Sequence, residues 1–346
     1  MFIKALTSKN SIMCIGYILL SYPMFYYAYK FGFPDFGATD YYSYAILYKD
    51  WDFSKIESPY NPKLISCFCI YLMNKAGFYY DAQIVYTTIY PQFDQHVFFN
   101  ALFFNYICLV LTCILIYKLV LRFYNNEVYA FLFGLLYLLG FGTIFFALKP
   151  GSDSCAILLF GISFYYYLKK SYLLYLFLLL AVIQREYILI IYIVITVIDY
   201  WYDRRKYFIG IFITSCILFV IYYFIRKNWL YTPRYEYAMS MNSYMKAVTE
   251  PNLELLPFLK QTILVNNLLF VYLGVLILKK VKHLSINRNY LFNVLCVLFQ
   301  GLAMSVLTHF GNNAGRYFYF AIPMLLFYMA VEAKPLLSNY LRSADV

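Results

Sequence analysis

The sequence predicts an all-α, polytopic integral membrane protein of about ten transmembrane helices, and three observations predict it. Of 346 residues, 63% are hydrophobic and only 13% charged, and the mean hydropathy is +0.63; an ordinary soluble chain is about 25% charged. The apolar residues fall in long continuous runs, as they must where backbone polar groups find no water. A β-barrel would instead show alternating segments of roughly ten residues. The charges between the runs sort by side, which fixes an orientation.

The first run, Ser11–Tyr29, follows Lys4 and Lys9 as a secretory signal would, but its length and the lack of a small-residue cleavage site make it a retained span. Further spans are expected at Val97–Leu121, Val128–Leu148, Ser154–Leu168, Tyr172–Ile183, Tyr187–Trp201, Tyr207–Ile225, Thr262–Leu278, Tyr290–Phe310 and Tyr317–Val331, so that residues 1–346 form one transmembrane domain. With the N-terminus in the cytoplasm, that face holds fifteen basic residues against five acids, the basic ones concentrated in short connections such as Arg204-Arg205-Lys206 and Lys279-Lys280. The other face holds thirteen against twelve. This positive-inside pattern places both termini in the cytoplasm and accounts for the net charge of +11. The expected partner is therefore a lipid bilayer and not a nucleic acid. No Asn-x-Ser/Thr acceptor occurs, which suits a bacterial inner-membrane protein. Most of the 42 tyrosines lie near span ends, as an interfacial belt requires. The eight cysteines lie in apolar segments without disulfide or zinc spacing.

Two large segments fall on the outer face. In the first, 30–96, Asn61-Pro62 opens an apolar run to Gly77, which predicts a helix of about fifteen residues, too short to span and apolar nearly all round, lying in the interface or wedged against the bundle. The second, 226–261, carries Pro233, Pro251 and Pro257 and is either a lid over a cavity or a passive connector. Between Lys170 and Asp203 the charges require two crossings from thirty-two residues, where two full crossings need about forty. Short or broken helices are therefore expected, with Gln184-Arg185-Glu186 at their outer junction.

Several outer-face polar residues bear on function, each with a blander alternative. Arg185 and Glu186 either face a polar cavity or pair with each other. Asp153, after Lys149-Pro150-Gly151-Ser152, is a site residue or a helix N-cap. His309 and Arg316 bracket a Gly/Asn-rich turn before the last span; Arg316 either anchors the helix or offers its rigid fork to a phosphate. Asp35 and Asp40, in the stretch from Phe33 to Tyr44, are site acids or solvated loop acids.

Taken together, Gly37-Ala38-Thr39-Asp40-Tyr41-Tyr42-Ser43-Tyr44, Pro59-Tyr60-Asn61-Pro62-Lys63-Leu64, Lys149-Pro150-Gly151-Ser152-Asp153, Gln184-Arg185-Glu186 and Gly315-Arg316-Tyr317-Phe318-Tyr319 with Pro323 form an arrangement that resembles the membrane-embedded glycosyltransferases of the GT-C superfamily. The shared pattern is a cytoplasmic N-terminus, an acid and interfacial helices in a long first outer loop, short central spans and a late basic residue. The chain departs from many members in the separation of Asp35 from Asp40, where they carry adjacent acids, and in Asn61 before Pro62, where some bacterial members carry Arg.

The resemblance implies a GT-C-like fold and transfer of a sugar from a polyprenyl-phosphate-linked donor to a glycan, lipid or protein acceptor on the non-cytoplasmic face. Asp40 would be the general base, Arg316, Arg185 and Lys149 would face the phosphate, and Asp35, Asp153, Glu186 and His309 would position substrate. No cofactor is implied; the scheme requires no metal, although Asp35 and Asp40 could hold a divalent ion if the loop folded back. An outer-face polysaccharide polymerase and a non-enzymatic transporter or flippase for lipid-linked sugars are the rival readings, the latter weakened by the lack of an internal repeat.

Overall fold

The computed structural model describes residues 9–31, 44–45, 47–52, 63–80, 94–148, 153–229, 262–307 and 316–342. Among the described residues all regular structure is helical. The principal helices are α1 (Lys9–Phe31), α2 (Leu64–Lys75), α3 (Gln95–Tyr124), α4 (Glu127–Leu139), α5 (Asp153–Leu168), α6 (Leu173–Gln184), α7 (Tyr187–Tyr202), α8 (Lys206–Trp229), α9 (Asn267–Val281), α10 (Arg288–Leu307), α11 (Arg316–Tyr319) and α12 (Ile322–Arg342). Helices stand at all ten positions where spans are expected. Among the described residues three of them, not ten, are long and apolar enough to cross a membrane by themselves: Ser11–Phe31, Gln95–Tyr124 and Lys206–Ile225.

The departures from the expected spans have local causes. The run from Val128 is cut at Gly140, whose extended ψ of 129° ends α4; a π-helical turn, Thr143–Ala147, follows. Asn266 interrupts the run that α9 continues. The last run breaks at Phe320-Ala321, between α11 and α12. Between Lys170 and Asp203 stand the expected short helices, α6 of 12 residues and α7 of 16, about 18 and 24 Å long at 1.5 Å per residue. In the first outer segment the helix is α2, 12 residues, with Gly77 at φ 72°, a conformation that favours glycine. Its expected opening, Asn61-Pro62, lies outside the described residues.

α3 is the spine of the bundle: α1, α2, α4, α5 and α12 all pack on it. Its ends are capped, Asp94 accepting from the Val97 N–H at 3.2 Å and Asn125 closing the other end in the left-handed region at φ 51°. Asn126 then accepts from the Tyr129 N–H at 2.9 Å and starts α4, so α3 and α4 form a tight antiparallel pair. The first half of α12 is interior. Every residue from Tyr317 to Ala330 is buried, with α3, α4, α5 and α9 around it. α1 and α8 are peripheral and keep apolar faces outward, Leu19, Leu20, Ile213 and Ile217 among them, a surface compatible with lipid.

Tyrosine does more in the interior than an interfacial belt requires. Tyr17, Tyr29, Tyr48, Tyr137, Tyr192, Tyr272, Tyr319 and Tyr328 are among the largest fully buried side chains. Their rings fill volume while several hydroxyls tie helices together. Tyr17 donates to the Phe131 carbonyl at 3.0 Å, Tyr106 to Ile18 at 2.7 Å and Tyr129 to Ala330 at 3.0 Å. Interhelical hydrogen bonds of this kind are what an apolar solvent leaves available for association, since lipid tails are as apolar as Leu.

Candidate functional site

Three chain segments meet at the end of the bundle away from the Lys/Arg-rich connections: the start of α2, the start of α5 and the break between α6 and α7. Asp153 is the first residue of α5, where the positive end of the helix dipole favours a carboxylate. It is 2% exposed. One of its oxygens, Oδ1, receives both Arg185 Nη2 at 3.1 Å and Lys63 Nζ at 3.6 Å.

Local backbone geometry delivers each partner. Arg185 is extended, at φ −160° and ψ 110°, and this single non-helical residue turns the chain between α6 and α7. The guanidinium lies 5.8 Å from the Phe320 ring. Lys63 stands at the N-cap position of α2, its ammonium 5.2 Å from the Tyr44 ring. Gln184 fixes α2 against this junction: its Oε1 accepts from the Ser66 N–H at 3.1 Å and its Nε2 donates to Ser66 Oγ at 3.0 Å. Glu186 is buried beside Arg185, and the next ring, Tyr187, meets Tyr317 at 4.6 Å between centroids. Ser154 donates to the Ala147 carbonyl, binding the start of α5 to the π-helical turn.

No family model, characterised protein or solved structure matches the chain.

Of the residues singled out in the sequence, Asp153 and Arg185 are brought into direct contact, with Glu186 adjacent. Arg185 pairs with Asp153, a partner 32 positions away that the alternative of a local Arg–Glu pair does not include. Asp153 is the first described residue of its helix. Arg316 opens α11, immediately before Tyr317; its side chain lies outside the described residues, as do Asp35, Asp40, Lys149 and His309.

Sequence reasoning missed Lys63 as a site residue. The signal was present, since a cation at the positive end of a helix is unfavourable and Lys63 heads an apolar run with no acid nearby in sequence. Its attraction is to Asp153, 90 positions away in the chain. Gln184 was noticed as part of its motif, but its service to Ser66 depends on how α2 docks and is not written in local spacing.

The cluster has a donor to spare. A guanidinium carries five N–H groups; Arg185 turns Nη2 to Asp153, while its Nε is buried with no hydrogen-bond partner. Two cations share one carboxylate at a helix break, in surroundings where an unpaired polar group is expensive. Such an arrangement can receive an oxyanion at Arg185 without displacing Asp153.

Proposed function

We propose that the chain is a membrane-embedded glycosyltransferase that transfers a sugar from a polyprenyl-phosphate-linked donor to a glycan, lipid or protein acceptor at the non-cytoplasmic face of a bacterial inner membrane, its helices making ten crossings with both termini cytoplasmic. The observation that carries this reading is Arg185, 15% exposed with a buried and unused Nε–H, beside a buried cation, Lys63. A lipid phosphate supplies the acceptor oxygens that this donor lacks. Its lipid tail would lie along the apolar bundle, as the outward apolar faces of α1 and α8 permit.

In the reaction, the oxygen of an acceptor hydroxyl attacks the anomeric carbon while the bond from that carbon to the phosphate oxygen breaks, and the phosphate departs with the electron pair. Arg185 and Lys63 meet the charge that develops there, and cations fixed in advance where charge appears lower a barrier more than most other devices. Asp40 takes the proton from the hydroxyl, a contribution of about 10²–10⁴-fold, and the anomeric centre inverts. Chain reach supports these partners. Asp40 is four residues from Tyr44, and four residues span at most about 14 Å; Lys149 stands equally close to Asp153, and Arg316 adjoins Tyr317.

The test uses protein reconstituted in vesicles with a radiolabelled polyprenyl-phosphate hexose and an envelope extract as acceptor. Asp40→Asn abolishes transfer with insertion intact, and Arg185→Gln and Lys63→Met weaken binding of undecaprenyl phosphate. Full transfer by Asp40→Asn removes that residue from the reaction; unchanged lipid-phosphate binding in both other variants removes the site. Movement of the donor across the vesicle with no new glycosidic bond replaces the enzyme by a transporter.

A further inference from the structure

A second polar cluster sits at the opposite end of the same helices, at the Lys/Arg-rich end of the bundle. Asp199, on the last turns of α7, is 7% exposed. Three neutral groups donate to its carboxylate: Tyr167 OH from α5, Asn289 Nδ2 at 2.8 Å and Asn293 Nδ2 at 2.9 Å, the last two one turn apart on α10. Asn293 also donates to Tyr328 OH of α12 at 3.2 Å, and the Tyr328 ring is covered by Tyr290, stacked at 4.2 Å.

Among the described residues no cation pairs with Asp199. A buried base on a neighbouring helix, Lys279, is closed in an ion pair with Glu332, one turn beyond Tyr328, and that carboxylate also accepts from the Asn287 N–H at 2.9 Å. Of the loop bases, Lys170 and Arg205 both pair with Asp203, at 3.7 and 2.9 Å. Asp199 is thus a buried carboxylate with hydrogen bonds but without countercharge, a costly state in an apolar bundle. A second, independent observation lies beside it. Asn293 is fully buried, and its Oδ1 has no hydrogen-bond partner.

We propose that Asp199, Asn289, Asn293, Tyr167 and Tyr328 form a binding site for an alkali-metal cation. Hard cations take oxygen ligands from carboxylates, amide carbonyls and hydroxyls, and this cluster offers all three kinds from four helices. One carboxylate balances one positive charge, which selects a monovalent ion over a divalent one. The unpartnered Asn293 oxygen becomes a ligand, and a half-turn of either amide presents its oxygen where Nδ2 now faces Asp199. Because α5, α7, α10 and α12 each contribute, the bound ion ties together the basic end of the bundle.

The experiment compares purified full-length protein in sodium chloride, potassium chloride and choline chloride at equal ionic strength. The thermal midpoint rises saturably with sodium or potassium but not with choline, by an amount on the order of 2 °C at ten times the dissociation constant. Radioactive sodium binds saturably and is displaced by unlabelled sodium. Asp199→Asn, which keeps the shape and can still accept hydrogen bonds, loses both responses, and Asn293→Ala weakens them should Asp199→Asn fail to fold. Equal midpoints in all three salts with no saturable sodium binding overturn the proposal, as does an Asp199→Asn protein that binds sodium like the wild type. A midpoint that follows pH but ignores the alkali cation also overturns it, by showing that a proton neutralises the carboxylate.

Discussion

Replacing Asp153 by Asn tests the charged cluster most directly. The substitution keeps the side chain's shape, so no cavity forms, but it removes a negative charge that Lys63 and Arg185 both contact. Lys63 and Asp153 are each 2% exposed, and Arg185 15%, so water cannot replace the lost partner. Breaking a buried pair from one side costs about 3–5 kcal/mol. For a chain of this size each kcal/mol moves the unfolding midpoint by about 2 °C, which gives a fall of about 6–10 °C. Cys67 and Cys155, both buried within or beside the cluster, make a thiol-reactive dye in detergent a suitable reporter. Adding Lys63→Met to Asp153→Asn removes one stranded cation and restores part of the loss, with a coupling of about 1–3 kcal/mol in the double-mutant cycle. A fall of less than about 2 °C in the single variant, or strict additivity in the cycle, would show that the cluster is wet and refute its description as a buried network.

Three contrasting perturbations follow from the same physics. Asp203→Ala breaks the pairs with Lys170 and Arg205, but their side chains are 38–59% exposed, so stability in the same dye assay changes by less than about 1 kcal/mol. Glu332→Gln strands Lys279, only 5% exposed, and lowers stability by about 3–5 kcal/mol, whereas Glu332→Gln with Lys279→Met recovers most of it. Gly301→Val lowers the unfolding midpoint and the yield of monodisperse protein, because a Cβ at position 301 would lie 2.8 Å from the Phe318 backbone nitrogen, where α10 crosses α11 and only a residue without a side chain lets the backbones approach.

What the sequence disclosed depended on the range of the interaction that each feature uses. The helices were legible because apolar runs and their breakers act locally; α3 ends within three residues of its expected boundary because Asn125 and Asn126 cap both neighbours. The short pair α6 and α7 was legible from charge and length together. The interruption at Asn266 was not, since nothing in a run of apolar residues marks which turn will break. The site was half legible. Asp153 and Arg185 stood out as ionisable residues at junctions of apolar runs, but their pairing crosses 32 positions and is decided by how α5 lies against α6. Lys63 was hidden by a stronger local message, the cap of a short helix. Asn289 and Asn293 were not singled out in the sequence, because their meaning comes only from Asp199 on another helix.

The two clusters constrain how the bundle can sit in a bilayer. α5 carries Asp153 at its first residue and Tyr167 near its last, while α7 begins after Arg185-Glu186 and carries Asp199 near its end. Both helices therefore separate the clusters by about 20 Å at 1.5 Å per residue. The hydrocarbon core is about 30 Å thick, so in the ten-crossing arrangement proposed above these helices would not hold both clusters outside it. Lipid is kept away by the surrounding helices: α3 and α12 pack on α5, and α8 and α10 pack on α7. Polar groups so placed are tolerated where they are mutually satisfied or line a cavity. Among the buried polar groups without a hydrogen-bond partner are Arg185 Nε in the first cluster and Asn293 Oδ1 in the second, a donor beside two cations and an acceptor beside a carboxylate. Their opposite polarity fits the two proposals, an anion at the first cluster and a cation at the second.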